Sequence, residues 1–289
     1  MKPFFEKVAL IGVGLIGGSL ARALKKHGLC NSITGYGRNV DELEKAVRLG
    51  VIDDFGHSIK ETVENSDLIV LAVPMSAFES VFTEMSDVVS DRTLITDVGS
   101  AKVSVIDAAG RVFGRLPAGL VPGHPIAGTE KSGVEASFDS LFENRRVILT
   151  PTENSSDDAV NQVQAMWKIV GAEVVLMTAE HHDQVLAATS HLPHVLAFSL
   201  VETLGKMHES SEIFRYAAGG FRDFTRIASS DPTMWRDICM NNKVAILSVL
   251  KKYERHLKVL EMAIESQDEK AIKDIFVRAK TARDENVID

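Results

Sequence analysis

Gly12-Val13-Gly14-Leu15-Ile16-Gly17 follows the apolar run Val8-Ala9-Leu10-Ile11 and opens the helical pattern Leu15 to Lys26. A G-x-G-x-x-G match alone is weak, but here a strand runs into it and a helix out of it, at the start of a βαβ unit. The first glycine makes the tight turn. The second lets backbone N–H groups approach a pyrophosphate, and the third lets the helix pack close to the strand. The helix N-terminus, with Leu15 and Ile16, then faces the phosphates. The other reading is a ligand-free strand–helix turn.

Working outward, short apolar strands alternate with helices up to about residue 178. The strands are Ser32-Ile33-Thr34-Gly35-Tyr36, Leu68 to Val73 (stopped by Pro74), Leu94-Ile95-Thr96, Leu120-Val121, Arg146 to Thr150 and Glu173 to Leu176. A helix is predicted at Asp41 to Leu49, capped near Asn39 or Asp41. Such strands predict a buried, mostly parallel sheet with helices on both faces. The fold class is α/β: an N-terminal Rossmann, doubly wound domain over 1–178, then an all-helical domain over 179–289. The helices expected there run from His181 to Met207, Thr233 to Ser266 and Asp268 to Asp284. Pro151 to Asp158 is the most loop-like stretch, with a cap for the next helix between Asn154 and Asp157.

Cofactor choice is read at the end of the second strand, where an NAD enzyme usually carries an acid. Gly37 stands there instead, and Arg38 follows. Room for a 2′-phosphate beside a guanidinium fork leans towards NADP over NAD. The plain alternative for Arg38 is a solvated loop charge. Val73 and Pro74, at the end of a strand, complete the expected NAD(P) site.

Net charge is −8 over 289 residues, which argues against a general nucleic-acid or anionic-membrane binder. Only two cysteines are present, Cys30 and Cys239, read as free thiols of a reducing compartment. Four glycines interrupt the N-terminal apolar run, which reads as strand and turn rather than signal peptide. No apolar stretch is counted as reaching the ~18 residues of a membrane span, so a cytoplasmic protein is expected.

Three segments carry more chemistry. Asp97-Val98-Gly99-Ser100-Ala101-Lys102 and Gly123-His124-Pro125-Ile126-Ala127-Gly128-Thr129-Glu130-Lys131-Ser132-Gly133 each follow a strand, so both are expected at carboxyl ends of parallel strands, where open α/β sheets bind ligands. Ser190-His191-Leu192-Pro193-His194 lies within the first helix of the second domain. Gly219-Gly220-Phe221-Arg222-Asp223-Phe224-Thr225-Arg226 and Asp231-Pro232-Thr233-Met234-Trp235-Arg236-Asp237 come later. Taken in order over nearly the whole chain, these motifs resemble the bacterial prephenate/arogenate dehydrogenase family, of the stand-alone kind without a fused chorismate mutase or regulatory domain.

The resemblance implies oxidative decarboxylation of a cyclohexadienyl acid, prephenate and/or arogenate, on the route to tyrosine. Hydride passes to NAD(P), the ring carboxylate leaves as CO2 and the ring becomes aromatic. His124 matches the family's catalytic histidine, and neutral imidazole suits proton acceptance near neutral pH. Ser100 matches the serine beside it, although a helix N-cap is an equally simple use for it. Arg226 matches the substrate-binding arginine. His191 and His194 match a histidine pair lining the substrate pocket, their i, i+3 spacing putting them near one helix face. Pro193 between them is expected to kink that helix.

The plain alternative for Arg222, Asp223 and Arg226 is a structural ion-pair cluster; for Trp235 and Met234 it is core packing. A metal site built on His181, His182, His191 and His194 is not expected, since neither an HExxH pattern nor a cysteine pair accompanies them. The resemblance further implies a homodimer built on the helical domain, and tyrosine is a plausible feedback inhibitor because product resembles substrate. The rival readings are another dehydrogenase of the same broad fold, such as a β-hydroxyacid dehydrogenase or an imine reductase, and a non-catalytic nucleotide sensor.

Overall fold

The computed structural model describes residues 4–90, 92–129, 131–208 and 210–286; Glu130, within the His124 motif, lies outside them. Strands β1 (Phe5–Ile11), β2 (Cys30–Tyr36), β3 (Asp54–Phe55), β4 (Leu68–Leu71) and β5 (Leu94–Asp97) form a five-stranded sheet in the order β3-β2-β1-β4-β5. Every pairing in it is parallel. Helices α1 (Leu15–Lys26), α2 (Val40–Arg48), α3 (Ile59–Val63), α4 (Phe78–Met85) and α5 (Val103–Phe113) connect these strands and lead on from β5.

Alternation along each strand sends its apolar residues to two cores. Val8, Leu10 and Val70 join Leu20 and Leu24 of α1 on one face. Ala9, Ile11, Ile69 and Leu71 join Phe78 and Phe82 of α4 and Val105 of α5 on the other. Strands buried on both faces explain the continuous apolar runs. The chain leaves β1 towards β2 on one side, while β4 lies on the other. That reversal opens a crevice at the carboxyl ends of β1 and β4.

The sheet departs from the sequence reading after β5. Leu120 makes only an isolated parallel bridge to Ile95, and the chain passes to a second sheet. There β6 (Gly123–Pro125) runs antiparallel to β7 (Arg146–Leu149), and β7 runs parallel to β8 (Glu173–Leu176). His124 therefore lies inside a short strand and not beyond the carboxyl end of a parallel one. Pro122 has no N–H with which to continue the ladder on β5, and its carbonyl instead accepts from Thr150 N–H at 2.9 Å. Helix α6 (Asp157–Ile169), between β7 and β8, is capped by Ser156, whose hydroxyl accepts from Ala159 N–H.

Helices α7 (Ala179–Leu186) and α8 (Leu192–Gly205) are joined by a π-helical turn, Ala187–His191. A wider turn just before Pro193 accommodates the missing N–H and the ring's clash with the preceding turn. This 27-residue run, Ala179–Gly205, is by length and composition apolar enough to span a bilayer, which the sequence reading did not count. Within it His182, Asp183 and His191 are buried.

Helices α9 (Ser210–Arg215) and α10 (Gly219–Thr225) and a 3₁₀ turn (Arg226–Ser229) follow. Then come α11 (Pro232–Asn241), α12 (Lys243–Glu265) and α13 (Glu269–Asn286). The single helix expected over 233–266 is thus two, broken at Asn242, whose side chain turns inward. The chain divides into two compact units, Met1–Lys243 and Val244–Asp289.

Candidate active site

The three motif glycines do different things at the crevice. Gly12 has φ +100°, and a Cβ on it would fall 2.2 Å from the Ala72 carbonyl oxygen, so only glycine serves. At Gly17 a Cβ would lie 2.3 Å from Gly12 O and 2.9 Å from Ala72 Cβ, which sets how closely α1 packs on the strands. A Cβ on Gly14 would meet nothing within 4 Å. Its bareness answers to no protein neighbour and leaves backbone open at the N-terminus of α1, as a phosphate cradle needs. Leu15 and Ile16 are half-buried behind it; Val73 is half-buried and Pro74 exposed after β4. Arg38 is exposed just past β2, and a Cβ at Gly37 would make only ordinary contact with Leu43. The residues present thus fit a dinucleotide.

His124 is buried, and its Nδ1 lies 2.9 Å from His182 Nε2. His182 Nδ1 lies 2.8 Å from Asp183 Oδ1. The carboxylate only accepts, so His182 Nδ1 carries a hydrogen. Neutral His182 then accepts at Nε2, and His124 donates from Nδ1. This assignment, made from the network, leaves His124 Nε2 with a bare lone pair. Asp183 is anchored in turn at the N-terminus of α5: Oδ1 accepts from Lys102 N–H at 2.8 Å and Oδ2 from Val103 N–H at 3.1 Å.

Burial first, and then the charges of His182, Lys102 and His191, hold His124 well below its ordinary 6.5. Burial likewise lowers His182, against the opposing pull of Asp183. His124 is therefore neutral at physiological pH, with His182 in hydrogen-bonding contact.

Beneath the relay lies a buried ion pair, Lys102–Asp97. Burial lowers the Lys102 ammonium, and Asp97 opposes that. Ser100 is half-buried in the turn before α5. It is not the N-cap: that position belongs to Lys102, and Asp183 supplies the capping carboxylate. A side chain 81 residues away in sequence thus displaces the local cap.

His191 is buried, with Nδ1 3.1 Å from Asn242 Nδ2, which also donates to Asp183 O at 2.8 Å. Because that carbonyl only accepts, the Asn242 amide presents N–H groups, and neutral His191 carries its hydrogen on Nε2. Burial pushes His191 down to about 4. His194 stacks on Trp235, centroids 3.6 Å apart and 19° between planes, and its Nδ1 bonds Ser190 O at 2.9 Å. Burial lowers His194 and the charge of Arg226 lowers it further, opposed by the Ser190 carbonyl. Arg226 is exposed at the head of its 3₁₀ turn. Trp235 is buried with an unpartnered Nε1–H, while Met234 is exposed.

The structure thus gathers His124 and His191 into one buried cluster, with His194 stacked on Trp235 and Arg226 near enough to His194 to bias its charge. It recruits His182, Asp183, Asn242, Asp97 and Lys102, none of which the sequence reading gave a role. His182 is occupied by His124 and Asp183, and His181 is exposed. Among the described residues no group of three or more His, Cys, Asp or Glu is placed to hold a metal ion.

The model for the nucleotide-binding domain of prephenate dehydrogenase matches residues 20–176. The model for that enzyme's dimerization domain matches 178–278. Cyclohexadienyl dehydrogenase of Zymomonas mobilis is 39% identical over 282 residues, 96% of this chain and 95% of the relative. Prephenate dehydrogenase of Bacillus subtilis is 39% identical over 291 residues, 98% of this chain and 77% of the relative. The crystal structure of prephenate dehydrogenase from A. aeolicus, in complex with hydroxyphenyl propionate and NAD+, superposes with a TM-score of 0.90 at 39% identity, covering 97% of this chain and 98% of that one.

Proposed function

This chain belongs to the prephenate dehydrogenase family, and from that premise we propose how its own residues carry out oxidative decarboxylation of prephenate, arogenate or both. The observation that carries the reading is the relay Asp183–His182–His124, which ends in a bare imidazole nitrogen. His124 Nε2 takes the proton of the ring hydroxyl as the carbinol carbon is oxidised. His182 and Asp183 stabilise the imidazolium that forms, as an oriented carboxylate–imidazole pair does. A bound nicotinamide supplies the hydride acceptor. Aromatisation of the ring, with departure of its carboxylate as CO2, makes the step effectively irreversible.

Ser100, in the turn after β5, holds the substrate hydroxyl near His124. Arg226 grips a carboxylate of the anionic substrate with its guanidinium fork. His194, with His191 behind it, forms the wall of the substrate pocket. Gly12, Gly14, Leu15, Ile16, Gly17, Val73 and Pro74 make the dinucleotide cradle. Gly37 and Arg38 favour NADP over NAD, through space for a 2′-phosphate and a cation to meet it; the A. aeolicus relative was crystallised with NAD+. We place the division between the nucleotide-binding and helical parts at residue 178, and assign a cytoplasmic homodimer with tyrosine as a feedback inhibitor.

The experiment is a four-way steady-state assay pairing prephenate or arogenate with NAD or NADP, following reduced nicotinamide. Turnover with any pair supports the assignment, and the ratios decide substrate and cofactor together. Protein that binds a nicotinamide dinucleotide yet turns over none of the four pairs overturns it.

A further inference from the structure

Asp97 and Lys102 meet at 1% and 0% side-chain exposure, so neither can touch a ligand. Lys102 Nζ also donates to the Gly123 carbonyl at 2.7 Å. Asp97 Oδ1 accepts the Gly123 N–H at 3.1 Å, and Oδ2 accepts Gly99 N–H at 2.7 Å. Both backbone polar groups of the residue preceding His124 are therefore bonded to this pair. Through its own N–H, Lys102 also binds Asp183 at the far end of the relay. One residue touches both the strand that carries His124 and the carboxylate bonded to its partner His182.

A buried ion pair is a poor device for stability alone. Its desolvation offsets most of its attraction, and apolar residues of similar volume often do as well or better. Nor is the strand loosely seated: a Cβ on Gly123 would lie 3.0 Å from Asp97 O and 3.1 Å from Leu149 Cδ2. β6 approaches β5 as closely as bare backbone allows, and the ion pair locks it in that register.

We propose that Asp97 and Lys102 are positioning residues for the general base, fixing His124 through Gly123 and the relay through Asp183. The proposal rests on His124 being that base. The Lys102 ammonium has a further effect, since it disfavours imidazolium at His124. Facing His124 are also His182 from α7 and His191 from the π turn, with Asp97 beside Lys102 and Asp183 beyond His182. Removing the ammonium should let His124 take its proton at higher pH.

The test compares Lys102→Met, the double variant Asp97→Asn/Lys102→Met and His124→Asn with the parent full-length protein. Lys102→Met strands a buried carboxylate and is the variant at risk of not folding. The double variant removes both charges at similar volume. Its amide at 97 still accepts from Gly123 N–H, but nothing donates to the Gly123 carbonyl. For the folded double variant, kcat should fall about 10–100-fold, as expected when a base is displaced by a fraction of an ångström to an ångström. NAD and NADP dissociation constants, read by fluorescence titration, should stay within about threefold, and the acid limb of kcat/KM should move to higher pH.

Parental kcat with an unmoved acid limb would overturn the proposal. So would a loss of kcat matched by equal losses of cofactor affinity and thermal stability, which marks general damage. The His124→Asn arm separates the two layers. If that variant turns over like the parent, the base assignment fails; if it is crippled and the double variant is not, the positioning role alone fails.

Discussion

Replacing Asp183 by Asn tests the relay at its root. Asp183 Oδ1 takes two donors, His182 Nδ1–H and Lys102 N–H, each at 2.8 Å, and Oδ2 takes Val103 N–H at 3.1 Å. An amide can be seated two ways. With its NH2 at the Oδ2 position it opposes Val103 N–H. With its NH2 at the Oδ1 position it opposes two donors and drives His182, and hence His124, into the other tautomer. The first seating is cheaper and leaves the relay intact but uncharged. The imidazolium forming at His124 then loses a charge-assisted bond worth ~1.5–3 kcal/mol, which is about a 10–150-fold fall in kcat. One buried N–H left unpaired at the start of α5 costs the fold ~1–3 kcal/mol. The assay is kcat at saturating cofactor and substrate, run beside thermal melts and a cofactor titration to establish that the variant is folded. A kcat within about threefold of the parent, in folded protein, would falsify the relay.

Further outcomes follow from the same geometry. Gly14→Ala should fold normally, since its Cβ meets no protein atom, but weaken dinucleotide binding about tenfold or more by filling the cradle; Gly12→Ala should lose soluble, folded protein, because φ +100° and Ala72 O both exclude a side chain. Equal behaviour of the two on thermal melts would refute the assignment of their roles. Arg226→Ala should raise the substrate KM about 10-fold or more with little change in cofactor affinity; an unchanged KM makes that arginine structural. Arg38→Ala should weaken NADP far more than NAD, and equal effects in paired titrations would dismiss the 2′-phosphate role.

Acid should destabilise the fold through its buried histidines. His191 has its folded pKa lowered from 6.5 to about 4, so the unfolded chain binds the proton first. Its contribution is complete above about 6.5 and is lost as pH falls towards 4, ~3 kcal/mol in all. His124 and His182 act in the same direction. Urea midpoints that stay level over that range would contradict the neutral, buried cluster.

Much of the architecture was legible in the chain, for local reasons. A continuous apolar run such as Leu68–Leu71 can be satisfied only in a strand covered on both faces. Gly12 and Gly17 announced the turn at the crevice because there is no room there for a side chain, and Asn39 announced α2 because its side chain caps the next N–H groups. Pro193 signalled a break but not its form, a π turn, and the passage to a second sheet after Pro122 was not foreseen. A missing N–H says only what cannot follow. Asn242 gave no local sign that it would divide one long helical pattern in two.

The site divides along the same line. His124, Ser100, His191, His194 and Arg226 stood out by motif and residue type, and neutral imidazole is the natural base for alcohol oxidation whatever surrounds it. Their working arrangement was not in any one segment. The relay joins His124 to His182 across 58 positions, Asp183 to Lys102 across 81 and Asn242 to Asp183 across 59. Sequence alone determined the longer strands, where a dinucleotide can approach backbone and which side chains have suitable chemistry, because these depend on neighbours along the chain. Only the tertiary structure decided which nitrogen of His124 is free, why it stays neutral and that a buried Lys102–Asp97 pair holds its strand. Tautomer, desolvation and charge are set by groups that meet only when distant segments exclude water together.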